Sequence, residues 1–204
     1  MAHNPPIYML SQSPVLFAAW TAWCLFHSLL ASRRVKRLLT SRPTSQGYRI
    51  GYVLFSSITL MALVFWNHAV LVPAAQGGWP WQLIRLILVG YGLWMLYAGG
   101  KAYDLKEFLG LGEFSETAEE TITKIKQDGI LARVRHPWYS GGIALVIALG
   151  NTPLDLIDWR GLLIAYLIIG CLIEEQRLVS ELGEVYRRYR REVPMLLPLH
   201  RNQH

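Results

Sequence analysis

Two short motifs carry residue types that could bind a charged small molecule. The first is RHPWY at 135–139, in which a guanidinium and an imidazole precede a proline. Proline is favoured at the first position of a helix, which predicts Arg135 and His136 at a helix N-terminus, where unpaired N–H groups attract a carboxylate or phosphate. Gly141 and Gly142 follow one turn later and allow close approach of a helix or ligand. An interfacial loop with a capping histidine and packing glycines is the alternative interpretation.

The second motif is the pair Glu174–Glu175, which directly follows the apolar run 160–173. A carboxylate so close to hydrocarbon is costly, so it is a candidate for function. Adjacent residues on a helix point about 100° apart. Only one glutamate can therefore face a site inside a helical bundle, and we expect the other to be solvated. A plain helix end at the membrane surface is the alternative.

Five apolar runs would position these motifs. The chain has 204 residues, of which 52% are hydrophobic and 17% charged, against about 25% charged in soluble domains. Runs 14–31, 50–72 and 82–100 approach the roughly 20 residues that cross a bilayer as a helix. Two shorter runs, 138–150 and 160–173, are interpreted as a tight helical hairpin joined by NTPLDLID. A re-entrant pair is the alternative.

The positions of the basic residues predict the orientation. Eighteen of the 20 Lys and Arg residues lie in segments 32–49, 101–135 and 174–204. The positive-inside rule makes these segments cytoplasmic, with the N-terminus outside and, after five crossings, the C-terminus inside. The net charge of +6 is then a signal of topology and of contact with anionic lipid rather than nucleic acid. The remaining cations, Arg85 and Arg160, are expected to snorkel.

The tail 174–193 is predicted as an amphipathic helix, or a continuation of the preceding one, which Pro194 closes. Its apolar stripe has helical spacing and consists of Leu178, Leu182, Val185, Tyr186 and Tyr189. Arginines cover the other faces, so the helix is expected to lie in the membrane surface. A lid over a cytoplasmic pocket is the alternative.

The predicted fold class is all-α: a polytopic membrane protein with five transmembrane helices, the last two a hairpin, and a C-terminal amphipathic interfacial helix. One integral membrane domain covers 1–204. It consists of a three-helix N-terminal part at 14–100, a cytoplasmic loop at 101–135, and a hairpin with the C-terminal helix at 136–199. Its two cysteines have no metal-binding or disulfide spacing.

These motifs resemble a known group of enzymes. RHPWYSGG at 135–142, EE at 174–175 and LGEVYRRYRREVPMLLP at 182–198 are similar to the isoprenylcysteine and phospholipid N-methyltransferase group of integral membrane methyltransferases. Looser similarity, in FHSLLASRRVKRLL, YRIGYVLFS and YDLKEFLGL, is to the bacterial branch that contains methanethiol S-methyltransferases and NnrU. The resemblance implies a membrane methyltransferase of the bacterial inner membrane.

The resemblance also implies S-adenosylmethionine bound at the cytoplasmic face by the last two spans. The positions that match the cofactor-binding part of the group are Lys126, Gly129, Leu131, Arg135, His136, Pro137, Trp138, Tyr139 and Glu174. Two positions depart from the pattern. Leu131 replaces an aromatic residue found in some members, and Gly170 replaces the arginine that isoprenylcysteine enzymes use for substrate. The second departure argues against a prenylated cysteine acceptor.

The chemistry of the residues agrees with such a cofactor. Arg135 or His136 could bind its carboxylate, and Glu174 its ammonium or an adenosine hydroxyl. Tyr139 could donate a hydrogen bond or present its ring to the sulfonium cation. Methyl transfer requires mainly alignment of donor and acceptor, so no metal is expected, and no catalytic base is assigned. The acceptor is expected to be a small thiol or another lipophilic molecule that arrives through the membrane.

Two other functions remain open at this stage. One is a non-enzymatic NnrU-like membrane protein that supports a respiratory or denitrification complex, and it predicts no cofactor binding. The other is a sterol-reductase-like enzyme with a nicotinamide cofactor.

Overall fold

The computed structural model describes residues 7–40, 46–71, 78–103, 129–150 and 159–198, which form helices and no strand. The predicted all-α class is confirmed for these residues. The helices are α1 (Ile7–Ala31), α2 (Arg33–Leu39), α3 (Gln46–Leu71), α4 (Trp79–Ala102), α5 (Pro137–Ala148), α6 (Trp159–Leu182) and α7 (Glu184–Glu192), with a 3-10 turn at Gly129–Ala132. Lys126 and the predicted link 151–158 lie outside the described residues.

Among the described residues, three helices are long and apolar enough to cross a membrane. They contain the segments Pro14–Ala31, Gln46–Asn67 and Trp79–Ala102, which agree with the first three predicted spans. Large apolar side chains on these helices face outward; Phe65 is 76% exposed and Leu86 is 69% exposed. Apolar surface of this extent on an unbroken helix is typical of contact with lipid.

Glycines bring α4 and α5 into direct backbone contact. A Cβ added at Gly141 would lie 2.8 Å from the carbonyl oxygen of Gly92, and one added at Gly92 would lie 2.7 Å from the Leu145 side chain. Nearer the C-terminus of α4, the ring of Trp138 fills the space beside Gly99. The expectation that Gly141 permits close approach of a neighbouring helix is therefore confirmed, and that helix is α4.

This packing predicts an asymmetric response to alanine along α4. Gly92→Ala should lower the free energy of unfolding by about 1–3 kcal/mol, because the added methyl group overpacks the α5 contact. Gly90→Ala is the matched control, since a Cβ at Gly90 meets nothing within 4 Å, and it should be neutral or stabilise by up to about 1 kcal/mol. Thermal unfolding in detergent would measure both. Equal effects at the two positions would contradict the close contact.

Side chains from α4 bind the C-terminal carbonyl groups of the short helix α5. Arg85 donates from Nε to the carbonyl of Ala148 at 3.0 Å, and the Trp81 indole donates to the carbonyl of Gly150 at 3.2 Å. Carbonyl groups at a helix end have no intrahelical partner and are costly in hydrocarbon. The expectation that Arg85 snorkels to the surface is replaced by this capping contact.

Helix α6 runs beside α1 in the same direction. The rings of Trp20 and Trp159 stack at 4.4 Å, and seven residues further along both helices His27 Nδ1 lies 2.7 Å from the Tyr166 hydroxyl. The buried guanidinium of Arg160 lies over the Trp159 ring rather than extending to the surface. The parallel course carries the end of α6, with its two glutamates, beyond the end of α1.

The predicted tail helix is divided at Gly183. Helix α6 continues to Leu182, and α7 begins at Glu184, because Gly183 has φ +58, a conformation that ends a helix and favours glycine. The break turns α7 back so that Tyr186 and Tyr189 are buried with Leu182. Val185, predicted on the same stripe, is instead 43% exposed, because the stripe does not continue straight through the break.

Candidate functional site

Helix α5 begins where the sequence predicts. His136 is its N-cap and Pro137 occupies the first turn, where the missing N–H costs nothing. The backbone N–H of Arg135 donates to the carbonyl of Pro194 at 3.0 Å, and that of His136 donates to Met195 at 3.1 Å. Arg135, His136 and Pro137, here called the RHP turn, are therefore hydrogen-bonded to the segment that follows α7.

Glu175 forms the centre of a buried ion-pair network. Its side chain is 3% exposed, and its carboxylate accepts from four side chains of other segments. The donors are Arg135 (Nε and Nη2, both 2.9 Å), His136 (Nε2, 2.7 Å), Tyr186 (Oη, 2.6 Å) and Arg190 (Nε, 2.9 Å). An ionised carboxylate can only accept, so His136 carries its proton on Nε2. One glutamate of the pair is therefore enclosed, as expected, but it is Glu175, surrounded by the RHP turn and α7, and not the Glu174 that the resemblance assigns to the cofactor.

Arg135 uses the rest of its guanidinium to hold α7. Its Nη1 donates to the carbonyl of Arg190 at 3.0 Å and also to the carbonyl of Val193. One planar guanidinium thus joins the start of α5, the end of α6 and the end of α7. Arg135 and His136 are 8% and 4% exposed, so both are enclosed within the protein.

The network sets the ionisation of its members. Burial raises the pKa of Glu175, but hydrogen bonds from His136, Tyr186 and Arg135 and the positive charge of Arg135 outweigh it and lower the pKa from 4.5 to about 2. Burial, followed by the hydrogen bond to Glu175 and its negative charge, raises the pKa of Tyr186. Tyr186 therefore remains a donor and Glu175 an acceptor at neutral pH.

Tyr139 and Glu174 meet on a different face of α6. A Cβ at Gly170 would lie 3.4 Å from the Tyr139 ring, so the ring covers this glycine. The Tyr139 phenol and the Glu174 carboxylate are close enough to interact electrostatically. Glu174 is only partly buried, and the Tyr139 ring meets the His136 ring edge-on at 5.7 Å. Tyr139 and Glu174 therefore form a partly exposed polar pair beside the enclosed Glu175 network.

Trp138 points away from this pair, toward α4. Its indole donates to the carbonyl of Leu96 at 3.1 Å, and its ring meets Tyr103 at 5.0 Å. Leu131 is also directed into the protein: it packs with Met95 and Val134, and its carbonyl accepts from the Tyr189 hydroxyl at 2.6 Å. Both residues fix the surroundings of the RHP turn.

The structure thus brings most of the proposed cofactor-binding residues around the start of α5. His136, Tyr139 and Glu174 lie close together, while Trp138 and Leu131 pack toward α4 and α7, and Gly129 opens the 3-10 turn at φ +62. Sequence reasoning did not place Glu175 in an enclosed network and gave no site role to Tyr186 or Arg190. The signals that could have identified them were the EE pair for Glu175 and the YRRYRR segment for the other two.

The known proteins that this chain resembles share one name, methanethiol S-methyltransferase. Over 86% of its length the chain is 29% identical to methanethiol S-methyltransferase of Crocosphaera subtropica, and 28% identical to methanethiol S-methyltransferase 1 of Bradyrhizobium diazoefficiens. It is 32% identical over 84% of its length to methanethiol S-methyltransferase of Mycobacterium tuberculosis. The matched part covers 71%, 63% and 72% of these relatives, respectively. No family model matches the chain, and no solved structure matches it.

Proposed function

The chain belongs to the methanethiol S-methyltransferase family of membrane enzymes, and we propose that it transfers a methyl group from S-adenosylmethionine to a small thiol at the cytoplasmic membrane surface. The relatives reported above are all named as methyltransferases. The non-enzymatic NnrU-like alternative is therefore not favoured.

The residues at the start of α5 fit the chemistry of this methyl donor. S-adenosylmethionine supplies an activated methyl group on a positive sulfur, together with an ammonium and a carboxylate. Helix α5 starts with a proline and has no side-chain cap, so its N-terminus presents the positive end of the helix dipole to a carboxylate. Glu174 offers a carboxylate to the ammonium or to a hydroxyl, and the Tyr139 ring can face the sulfonium.

Arg135 and His136 would contribute by positioning rather than by touching the cofactor. Their donors are occupied by Glu175 and by backbone carbonyls. The observation that carries the proposal is this buried Glu175 network, because it fixes the RHP turn against α6 and so directs Tyr139 and Glu174 toward each other. Lys126 and Gly129 would belong to a loop that covers the cofactor.

The proposed topology has five spans in a single domain over 1–204, with the N-terminus outside and the C-terminus in the cytoplasm. Helix α5 supports a fourth span because it follows α4 from Trp138 beside Gly99 to Ala148 beside Arg85. Helix α6 supports a fifth, because it follows α1. The exposed arginines of α7 would lie at the surface of the bacterial inner membrane, in contact with anionic lipid.

The acceptor would reach the site from the bilayer. A small thiol partitions into hydrocarbon and needs little space, and Gly170, which has no side chain, lies directly under the Tyr139 ring on this part of α6. Where the resembling isoprenylcysteine enzymes have an arginine, this chain therefore has a small apolar position.

A methyl-transfer assay would test the proposed function. Protein purified in detergent, supplied with radiolabelled S-adenosylmethionine, should transfer label to methanethiol or a short alkanethiol and not to a prenylcysteine analogue or a phospholipid. Label on the phospholipid, or no transfer by protein that is demonstrably folded, would contradict it.

A further inference from the structure

A second polar cluster lies within the apolar half of the bundle. His27, inside the span Pro14–Ala31, lies between two tyrosines of other helices: Nδ1 is 2.7 Å from the Tyr166 hydroxyl, and Nε2 is 2.7 Å from the Tyr52 hydroxyl. The Ser28 hydroxyl lies 3.0 Å from that of Tyr166. The ring of Trp23 stacks on the imidazole at 5.0 Å.

Such a cluster is more than helix packing requires. A histidine, a serine and two phenols within a membrane span are costly, and ionisable residues in that position mark functional sites by default. The imidazole of His27 is well placed to exchange a proton, because both of its nitrogens already form short hydrogen bonds to hydroxyl groups. Its neutral form fits these contacts with Nδ1 accepting from Tyr166 and Nε2 donating to Tyr52.

The cluster is connected to the proposed methyl-transfer site along one face of α6. Tyr166, Gly170 and Glu174 are spaced four residues apart, so they follow one another on the same side of the helix. Tyr139 covers Gly170 and interacts electrostatically with Glu174. A thiol bound beside the Tyr139 ring on this face of α6 would have the Tyr166 phenol, one turn nearer the membrane interior, as its neighbour.

We propose that Tyr166 and His27 form a relay that removes the proton of the thiol acceptor during methyl transfer. The inference rests on the proposed function. As the acceptor sulfur gains the methyl group, its S–H bond breaks and the proton moves to the Tyr166 oxygen. The phenolic proton of Tyr166 passes to Nδ1 of His27, which becomes an imidazolium that donates to both tyrosines. Once the thioether has left, the proton returns by the same path to water in the open site.

Among the described residues, four further titratable groups lie near this relay. Tyr52 approaches His27 from α3, and Cys24 lies one turn away on α1 and interacts electrostatically with Tyr166. Tyr48 interacts with Tyr52, and Tyr139 interacts with Tyr166. The relay should affect the rate of methyl transfer only for a thiol that is still protonated when it binds. Thiols react as thiolates, so an acceptor that is already ionised in solution needs no proton acceptor on the enzyme.

Two acceptors of different acidity test the relay. Methyl transfer to a short alkanethiol, protonated at the assay pH, is compared with transfer to an acidic aromatic thiol that is ionised at the same pH. The variants are Tyr166→Phe and His27→Gln. Tyr48→Phe is the matched control, because the Tyr48 hydroxyl donates to the backbone carbonyl of Leu30, one turn beyond His27 on α1, and not to the imidazole. Binding of S-adenosylmethionine by calorimetry establishes that each variant is folded and has an intact cofactor site.

Tyr166→Phe should lower kcat/KM for the alkanethiol about 100-fold or more, the usual contribution of general acid–base catalysis, and change that for the aromatic thiol less than about fivefold. His27→Gln should show the same selectivity, and Tyr48→Phe should show neither loss. Equal losses on both thiols, or no loss in Tyr166→Phe, would overturn the relay even if His27→Gln fails to fold. Wild-type protein that methylates neither thiol would overturn the proposed function itself.

Discussion

Replacing Glu175 with alanine should lower the free energy of unfolding by about 3–5 kcal/mol, the cost of leaving buried charges without their partner. The buried Arg135 and His136 and the partly exposed Arg190 would lose their common acceptor. The same variant should also lose binding of S-adenosylmethionine, since the RHP turn would no longer be held against α6. Thermal unfolding in detergent, followed by the tryptophan fluorescence, measures the first effect, and calorimetry the second.

Glu181→Ala is the matched control on the same helix. Glu181 lies two turns nearer the C-terminus, is exposed, and pairs with Arg177 at 2.7 Å on the surface. Exposed pairs of this kind contribute about 1 kcal/mol or less, so the control should change neither stability nor binding appreciably. If the two alanine variants were equally stable, Glu175 would not be the centre of the network.

The network should also set an acid limit to stability. The pKa of Glu175 is about 2 in the folded protein, below its ordinary value of 4.5. Its contribution is therefore fully present above pH 4.5 and is lost as the pH falls toward 2. The difference in melting temperature between wild type and Glu175→Gln should accordingly shrink across that interval; a constant difference would contradict the lowered pKa.

Replacing Glu174 with glutamine should leave stability unchanged and weaken cofactor binding. The fold should persist, because Glu174 is partly exposed and outside the ion-pair network, while affinity for S-adenosylmethionine should fall about 100-fold, or about 2.7 kcal/mol. This is the scale expected when one member of a charged, hydrogen-bonded pair loses its charge. Calorimetric titration of the purified variant, beside Glu181→Gln, would measure it.

Two results would refute this assignment. If Glu174→Gln bound the cofactor as tightly as wild type, the carboxylate would not contact it. If the variant lost stability as strongly as Glu175→Ala, Glu174 would be part of the support rather than the binding surface. Adjacent glutamates with separate effects, one on stability and one on affinity, are the signature that the geometry predicts.

Much of the fold follows from local patterns. The three apolar runs become α1, α3 and α4 because a membrane requires unbroken helices of about 20 apolar residues. Pro137 fixes the start of α5, since proline is favoured in the first turn of a helix and disfavoured in its interior. The closeness of α4 and α5 was foreseeable at Gly141, although the partner glycine, Gly92, is evident only from the packed helices.

Local patterns did not predict which of the two glutamates is enclosed. Adjacent residues on α6 face directions about 100° apart, but which one is enclosed depends on how α7 folds back. That direction is set by the positive φ of Gly183, which brings Tyr186 and Arg190 onto Glu175. Helical periodicity treats Gly183 as a weak position within one helix and cannot give the angle of the turn.

The most direct measurement of the central claim is to map where S-adenosylmethionine binds. Radiolabelled cofactor cross-linked by ultraviolet light to the detergent-purified protein, followed by mass spectrometry of its peptides, should label residues between Pro137 and Gly142 or between Gly170 and Glu175. The labelling should disappear in Glu174→Gln and persist in Glu181→Gln. Label confined to α1–α3, or saturable labelling unchanged in Glu174→Gln, would contradict a methyl-donor site at the junction of α5 and α6.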